Sequence, residues 1–249
     1  MKIVVLGGTG QIGSKVTRLL RERGVDAVPA SPSTGVDVMT GAGLDAVLAG
    51  ADAAIDVSKP RGYDPAVVDA YFRTGIGNLL RAEHAAGVRH HVALAAVGTG
   101  PTTDIPFYRA KAVGTELVQA GGVPFSLVHA TQFFEFADAI ADSGTVDGDV
   151  VLPDVLVQPI AGDDVARVIV DIAVADPRNG EVDIAGPEVM PLAEFVGRGI
   201  AAHGDRRPVR VGADATYFGG RIGRTALLPG PDARILPTRL EDWLAREAR

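Results

Sequence analysis

The chain contains no cysteine, so it forms no disulfide and performs no thiolate chemistry, and a cytoplasmic protein is expected. No apolar run reaches the length that spans a bilayer. The first residues go straight into a strand-like run without a signal-peptide pattern, so no membrane partner is expected. Positive charge is scarce: 24 Lys and Arg stand against 31 Asp and Glu, a net charge of −7. With no basic stripe, nucleic acid is not an expected partner. The histidines and carboxylates show no metal-ligand spacing. His90 and His91 are adjacent, but neighbours on a strand point to opposite faces, which makes joint ligation awkward, and no metal is expected. Internal repeats and low-complexity tracts are also absent. The 249 residues, 47% of them hydrophobic, suffice for one large domain or a domain with a small lobe.

The informative stretch is the first thirteen residues, MKIVVLGGTGQIG. Ile3 to Leu6 form a short apolar run bounded by glycine, the pattern of a strand buried on both faces. Gly7, Gly8, Thr9, Gly10, Gln11, Ile12 and Gly13 follow, and Ser14 to Arg23 is compatible with a helix. Strand, glycine turn and helix N-terminus make a dinucleotide cradle. Gly8 is expected to permit the tight turn, Gly10 to let the backbone approach a pyrophosphate, and Gly13 to let the helix pack on the strand. The anion would sit at the positive end of the helix on unpaired N–H groups.

A second strand is expected over Val25–Pro29, whose end would meet the adenosine ribose. An acidic residue there would bond the 2′-hydroxyl and repel a 2′-phosphate. Asp26 comes too early and Asp37 too late, while Ser31, Ser33 and Thr34 can donate to a phosphate. NADP(H) is therefore expected over NAD(H), which stays open, because Ser-Pro-Ser also suits an ordinary turn. Val36–Val38 reads as a short third strand with Asp37 in reach of the adenine. Beyond it come a helix over Gly43–Ala49, a strand over Ala53–Val57, with Val57 at the cofactor side, and a long helix over Pro65–Ala86. Its Tyr71 and Phe72 read as core. A strand over His91–Val97, a helix over Phe107–Ala120 and a strand over Val123–Val128 complete the alternation. Such alternation implies α/β architecture, a doubly wound parallel Rossmann sheet over residues 1–130. Residues 131–249 read as a small C-terminal substrate lobe interleaved with the last sheet strands and closing over the nicotinamide. The helices expected there are a segment from Phe133 to about Asp142, Asp163–Val174, Leu192–Ala202 and Leu240–Glu247. Short strands are expected around Val150, over Val155–Ile160 and over Val182–Ala185.

Several segments together resemble the short-chain dehydrogenase/reductase superfamily, in its atypical, NmrA-like branch. They are GGTGQIG at Gly7–Gly13, GVRHHVALAAVGTG at Gly87–Gly100, FYRAK at Phe107–Lys111, HATQFFEF at His129–Phe136 and QPIAGDDVARVI at Gln158–Ile169. The usual reductases of the superfamily use a serine, a tyrosine and a lysine, with the tyrosine four residues before the lysine. On a helix that spacing puts both side chains on one face, where the ammonium lowers the phenol's pKa and holds the nicotinamide ribose. Here the residue four before Lys111 is Phe107, Tyr108 is three before it, and Ala95 or Ala96 stands where the serine is expected. Either Tyr108 substitutes from a displaced position on the same face, or it is a packing aromatic. Thr99 is a partial replacement for the serine.

The resemblance implies an NADPH-dependent oxidoreductase that delivers hydride to a small conjugated carbonyl or quinone-like substrate without the usual Ser and Tyr. It equally allows a non-catalytic NADP(H)-binding redox sensor, or a redox-neutral epimerase or dehydratase. Lys111 would hold the ribose and, with Tyr108, form the catalytic candidates. His129, Gln132, Phe133, Phe134 and Tyr217 are the candidate substrate-binding residues. A monomer or homodimer fits equally.

Overall fold

Ile3, Val4, Val5 and Leu6 leave no polar face for water, and in the fold they are buried along β1 (Lys2–Leu6). Each such aliphatic side chain contributes about 1.5–3 kcal/mol by leaving water. The computed structural model describes residues 1–62, 64–100 and 103–247. After β1 come α1 (Gln11–Glu22), β2 (Asp26–Ala30), α2 (Leu44–Leu48) and β3 (Ala53–Asp56). The next helical stretch is α3 (Pro65–Ala70), a π-turn at Tyr71–Gly75 and α4 (Ile76–Ala86). β4 (His90–Ala96), α5 (Pro106–Ala120) and β5 (Phe125–Ala130) follow. The remainder holds α6 (Ala137–Ser143), β6 (Thr145–Val146), β7 (Asp149–Leu152), β8 (Leu156–Val157) and α7 (Gly162–Ala173). It ends with β9 (Gly180–Ala185), β10 (Met190–Pro191), α8 (Leu192–Ala202), β11 (Val209–Val211), β12 (Arg234–Ile235) and α9 (Leu240–Glu247).

The main sheet has seven strands in the order β12-β9-β5-β4-β3-β1-β2. β1 pairs in parallel with β2 and β3, β3 with β4, and β12 with β9. This is the doubly wound α/β sheet expected from the alternation. From β1 the chain steps one way to β2 and the other way to β3 and β4, so β1 and β3 flank a topological switch point. Ligands of open α/β sheets bind outside the carboxyl ends of the strands at such a point.

By contact density the chain divides into two units that exchange segments. The first comprises Met1–Ala95, Ala110–Val128 and Val165–Val182. One of its cores gathers Val4, Leu6, Leu44, Leu48 and Leu79 under β1. The second comprises Ala96–Arg109, His129–Asp164 and Asp183–Arg249. Its core contains Phe134, Phe195, Leu240 and Trp243, with Phe134 and Trp243 rings 5.6 Å apart. Small residues let α6 and α8 approach: a Cβ on Gly199 would lie 2.3 Å from Ala137 Cβ. A three-stranded sheet, β11-β7-β6, and the β10-β8 pair complete this unit.

Three expectations need correction: the strand expected over Val155–Ile160 is reduced to Leu156–Val157, with Ile160 in an isolated bridge to Phe133. Val36–Val38 forms no strand. Gly35, Gly41 and Gly43 adopt left-handed conformations, with φ of 82°, 78° and 73°, and curl the segment onto itself. Asp37 N–H then donates to Ala42 O at 2.9 Å rather than to a neighbouring strand. Pro65–Ala86 is helical throughout but not one α-helix, because the Tyr71–Gly75 π-turn interrupts it. Asn78 ties the far side of that turn down by donating to Val38 O and Met39 O at 2.8 and 3.0 Å. Among the described residues no helix is long and apolar enough to cross a membrane. Among the same residues no group of acidic or histidine side chains could hold a metal ion.

Candidate active site

The glycine cradle lies at the carboxyl end of β1. Gly7, rather than Gly8, takes the left-handed turn, at φ 75°. A Cβ there would lie 2.8 Å from Ser58 Cα and 2.9 Å from Val57 O, so only glycine lets the loop rest on the segment after β3. Gly8 is excluded from carrying a side chain by different neighbours: Val5 O at 2.6 Å and Pro29 Cα at 2.7 Å. Gly13 sets the helix against the loop, since its Cβ would fall 2.1 Å from Gly7 O. Gly10 faces open space apart from Gly7 O at 3.2 Å. The N–H groups of Gly7, Gly8 and Gly10 are already used: Gly7 donates to Ala30 O on β2 at 2.8 Å, Gly8 to Val5 O at 3.0 Å and Gly10 to Gly7 O at 2.9 Å. Those of Gln11, Ile12 and Gly13 precede the first intrahelical bond, Ser14 N to Gly10 O at 2.9 Å, and have no acceptor within the helix. No acidic residue stands in the first turn of α1 to compete for the positive end of the dipole. The site therefore fits a diphosphate on geometry alone.

At the end of β2 three hydroxyls form a chain. Thr9 Oγ1 donates to Ser31 Oγ at 3.0 Å, and Ser31 Oγ lies 2.8 Å from Ser33 Oγ. Ser31 itself is buried and locked by Thr34, whose Oγ1 accepts from its N–H and donates to its carbonyl, both at 2.9 Å. Ser33 and Thr9 are exposed. Asp37 uses its carboxylate locally, accepting from Met39 N at 2.8 Å. No carboxylate is placed in the hydroxyl chain.

Lys111 stands half-buried on α5, its Nζ 5.2 Å from the centre of the Phe72 ring. It shares a small cavity with Asp56, Ser58 and Thr115. Burial lowers its pKa from the usual lysine value, and the Asp56 charge works against that lowering. Asp56 is held by the amide of Ser58 at 2.9 Å and by the Ser58 hydroxyl, which accepts in turn from the Tyr71 hydroxyl. Sequence reasoning missed Asp56 and Ser58 and assigned Tyr71 to the core. The available signal was a polar Asp-Val-Ser directly after a fully apolar strand.

In the second unit, Tyr108, Gln132 and Tyr217 come together from α5, the end of β5 and a distant loop. The Tyr108 hydroxyl is hydrogen-bonded to Gln132 and Tyr217, and the two tyrosine rings meet edge-on at 6.5 Å. Burial raises the Tyr108 pKa from its ordinary value, and the two hydrogen bonds oppose this. Gln132 Oε1 is buried with no partner among the described residues. Phe133 is buried and stacks on Phe136 at 5.0 Å. Phe134 points the other way, into the core between Phe195 and Trp243. His129 is half-buried near the end of β5. Ala95 and Ala96 supply no hydroxyl, and the Thr99 hydroxyl is turned back onto Ala96 O.

No protein-family model matches the chain. The dTDP-glucose 4,6-dehydratase of Streptomyces venezuelae, solved with NAD bound, is 19% identical with a TM-score of 0.73. That match covers 100% of this chain and 96% of that one. The dTDP-4-dehydrorhamnose reductase of Bacillus anthracis, solved with NADP, is 13% identical with a TM-score of 0.72, covering 98% and 96%. The chain thus shares the Rossmann-like α/β fold of these enzymes. In sequence, the NAD(P)H azoreductase of Xenophilus azovorans is 31% identical over 221 residues, 84% of this chain and 75% of that protein. The chain belongs to the family of that azoreductase.

Proposed function

We propose that this chain delivers hydride from NADPH to a small, electron-poor conjugated acceptor: a quinone, an enone or an azo compound. It is an NAD(P)-dependent oxidoreductase. The choice of acceptor and of NADPH is our reading, as is placement in the NmrA-like branch. The observation that carries it is on α5. Lys111 is kept half-buried beside a cavity, while Phe107 occupies the position from which a tyrosine would protonate a simple carbonyl. A conjugated acceptor lets the incoming negative charge delocalise, so it depends less on an enzyme acid than an isolated ketone does. The relative's azo substrate class fits the same requirement.

The first unit supplies the nucleotide-binding residues. Gln11, Ile12 and Gly13 offer N–H groups to the diphosphate, and Thr9, Ser31 and Ser33 offer hydroxyls to a 2′-phosphate. Lys111 donates to the ribose hydroxyls and places positive charge where negative charge develops. Bound NADPH would supply the two electrons as hydride. The residues proposed for substrate recognition are Gln132, through Oε1, with Tyr108, Tyr217 and the apolar Phe133. Tyr108, neutral at physiological pH, can donate a hydrogen bond or the proton that completes reduction.

The test is NADPH oxidation against a panel of quinones, enones, azo dyes and simple ketones. Turnover on conjugated acceptors but not on ketones, abolished in Lys111→Ala, supports the reading. Nucleotide binding without turnover on any acceptor would refute it and favour a redox sensor.

A further inference from the structure

The cavity beside Lys111 contains a carboxylate that the proposed reaction does not use. Asp56 closes β3 at 7% exposure, and one of its oxygens, Oδ1, is fixed by both the amide and the hydroxyl of Ser58. The Tyr71 hydroxyl bonds Ser58 from behind. Tyr71 belongs to the π-turn that interrupts the helix, a local irregularity that often accompanies functional positions. The carboxylate is therefore not free to swing toward water. Across the cavity, Lys111 Nζ makes no hydrogen bond or ion pair among the described residues and rests over the Phe72 ring. The other lining residues, Ile76, Leu94, Val118 and Leu127 among them, carry no charge.

We propose that Asp56 is the positioning residue for Lys111: a counter-charge, clamped by Ser58 and Tyr71, that keeps the ammonium protonated and held in the cavity. The inference rests on the role given to Lys111 above, and extends the site to three residues outside the glycine motif and α5. The charged groups around it are few. From β3 comes Asp56, and from β4 His91, whose partner Glu83 lies on α4. From the π-turn comes Tyr71, on which the Asp37 charge also acts, and α5 adds to the cavity lining only the neutral Thr115 beside its apolar residues. The electrostatics are consistent with this placement: the Asp56 charge acts to raise the pKa of Lys111, Tyr71 and His91 alike. Without Asp56 the lysine keeps its burial and loses the one opposite charge that acts on it among the described residues.

The chain has four lysines, Lys2, Lys15, Lys59 and Lys111, so the side chains can be followed individually by NMR of 13C-labelled lysine. Lys111→Arg assigns the signal. The titration is run on the full chain without nucleotide, in the native protein, Asp56→Asn and Tyr71→Phe. The Lys111 midpoint is expected to fall by about one pH unit in Asp56→Asn. It should fall less, in the same direction, in Tyr71→Phe, with the other three lysines unmoved. An unchanged Lys111 midpoint in Asp56→Asn overturns the proposal. If that variant does not fold, an unchanged midpoint in Tyr71→Phe overturns it instead. A parallel series follows NADPH affinity against pH, whose alkaline limb should move down with the lysine. A displaced lysine midpoint in a protein that binds no NADPH at any pH would uphold the positioning role and overturn the nucleotide role of Lys111.

Discussion

Gly10→Ala separates the fold of the cradle from its use. Gly10 has φ −82° and ψ −179°, a region open to any L-residue, and its Cβ would meet only Gly7 O at 3.2 Å. As the N-cap of α1 without a side-chain hydrogen bond, it loses little by becoming alanine, about 0.5–1 kcal/mol. In a chain of this length that lowers Tm by roughly 1–4 °C. On the proposed reading, however, the methyl group projects where a diphosphate would approach the Gln11, Ile12 and Gly13 amides. Displacing the anion by one charge-assisted hydrogen bond costs about 1.5–3 kcal/mol, roughly 10- to 100-fold in affinity. At NADPH concentrations near 100 times the native Kd, the native protein gains about 2.7 kcal/mol. A variant weakened 100-fold gains about 0.4 kcal/mol by the same relation. Differential scanning fluorimetry with and without NADPH should thus show a rise of roughly 5–10 °C in the native protein and about 1 °C in Gly10→Ala. Gly13→Ala is the contrasting control. Its Cβ would fall 2.1 Å from the Gly7 carbonyl, so helix and loop must separate and stability falls before any nucleotide is added. Equal stabilisation of native protein and Gly10→Ala by NADPH would refute the cradle assignment.

Lys111→Ala should abolish acceptor-dependent NADPH oxidation while retaining measurable nucleotide affinity. Tyr108→Phe should leave nucleotide affinity unchanged and lower kcat about tenfold or more, as loss of one positioned proton donor does, which steady-state kinetics will show. Ser33→Asp places a carboxylate at the exposed end of the hydroxyl chain and should turn the preference from NADPH toward NADH, read as the ratio of the two kcat/KM values. The adjacent histidines predict a stability maximum near neutral pH. His90, held against Ser126 at 2.9 Å, is pushed down to about 4 by burial and then by the His91 charge. Its contribution is lost as pH falls below the unfolded value of about 6.5 toward 4. For His91, burial opposes the charge, but the field and hydrogen bonds of Glu83, both oxygens at 2.9 Å, leave the pKa raised. That contribution is complete below about 6.5 and is lost as pH rises through the folded value. Thermal melts across pH should therefore fall on both sides, and Glu83→Gln should remove the decline on the alkaline side. A flat alkaline limb in the native protein would contradict the pairing.

The elements legible in the sequence were those whose pattern is long or bounded by glycine. β1, α1, α8 (Leu192–Ala202) and α9 (Leu240–Glu247) stand where periodicity put them. β6, β10 and β12 span two residues each and β11 three, too short to carry any period, and they depend on partners distant in sequence. Val36–Val38 had the composition of a strand, but three left-handed glycines nearby made a self-closed loop the better outcome. In the site, the glycine loop and Lys111 were readable because their spacing is local. The Asp56–Ser58–Tyr71 chain and the Tyr108–Gln132–Tyr217 cluster were not, since each needs residues brought together by the sheet or by a core. Gln132 and Tyr217 were singled out separately, without a reason to meet. Phe133 and Phe134 could not be told apart by sequence, because neighbouring residues entering a short helix point in different directions.

The most direct test of the central claim is the affinity of the native protein for NADPH, NADP⁺, NADH and NAD⁺, measured by calorimetric titration under one condition. Tighter binding of the two phosphorylated nucleotides, with NADPH bound best, is the predicted result. Failure of all four to bind would contradict the account at its first step, the glycine cradle after β1.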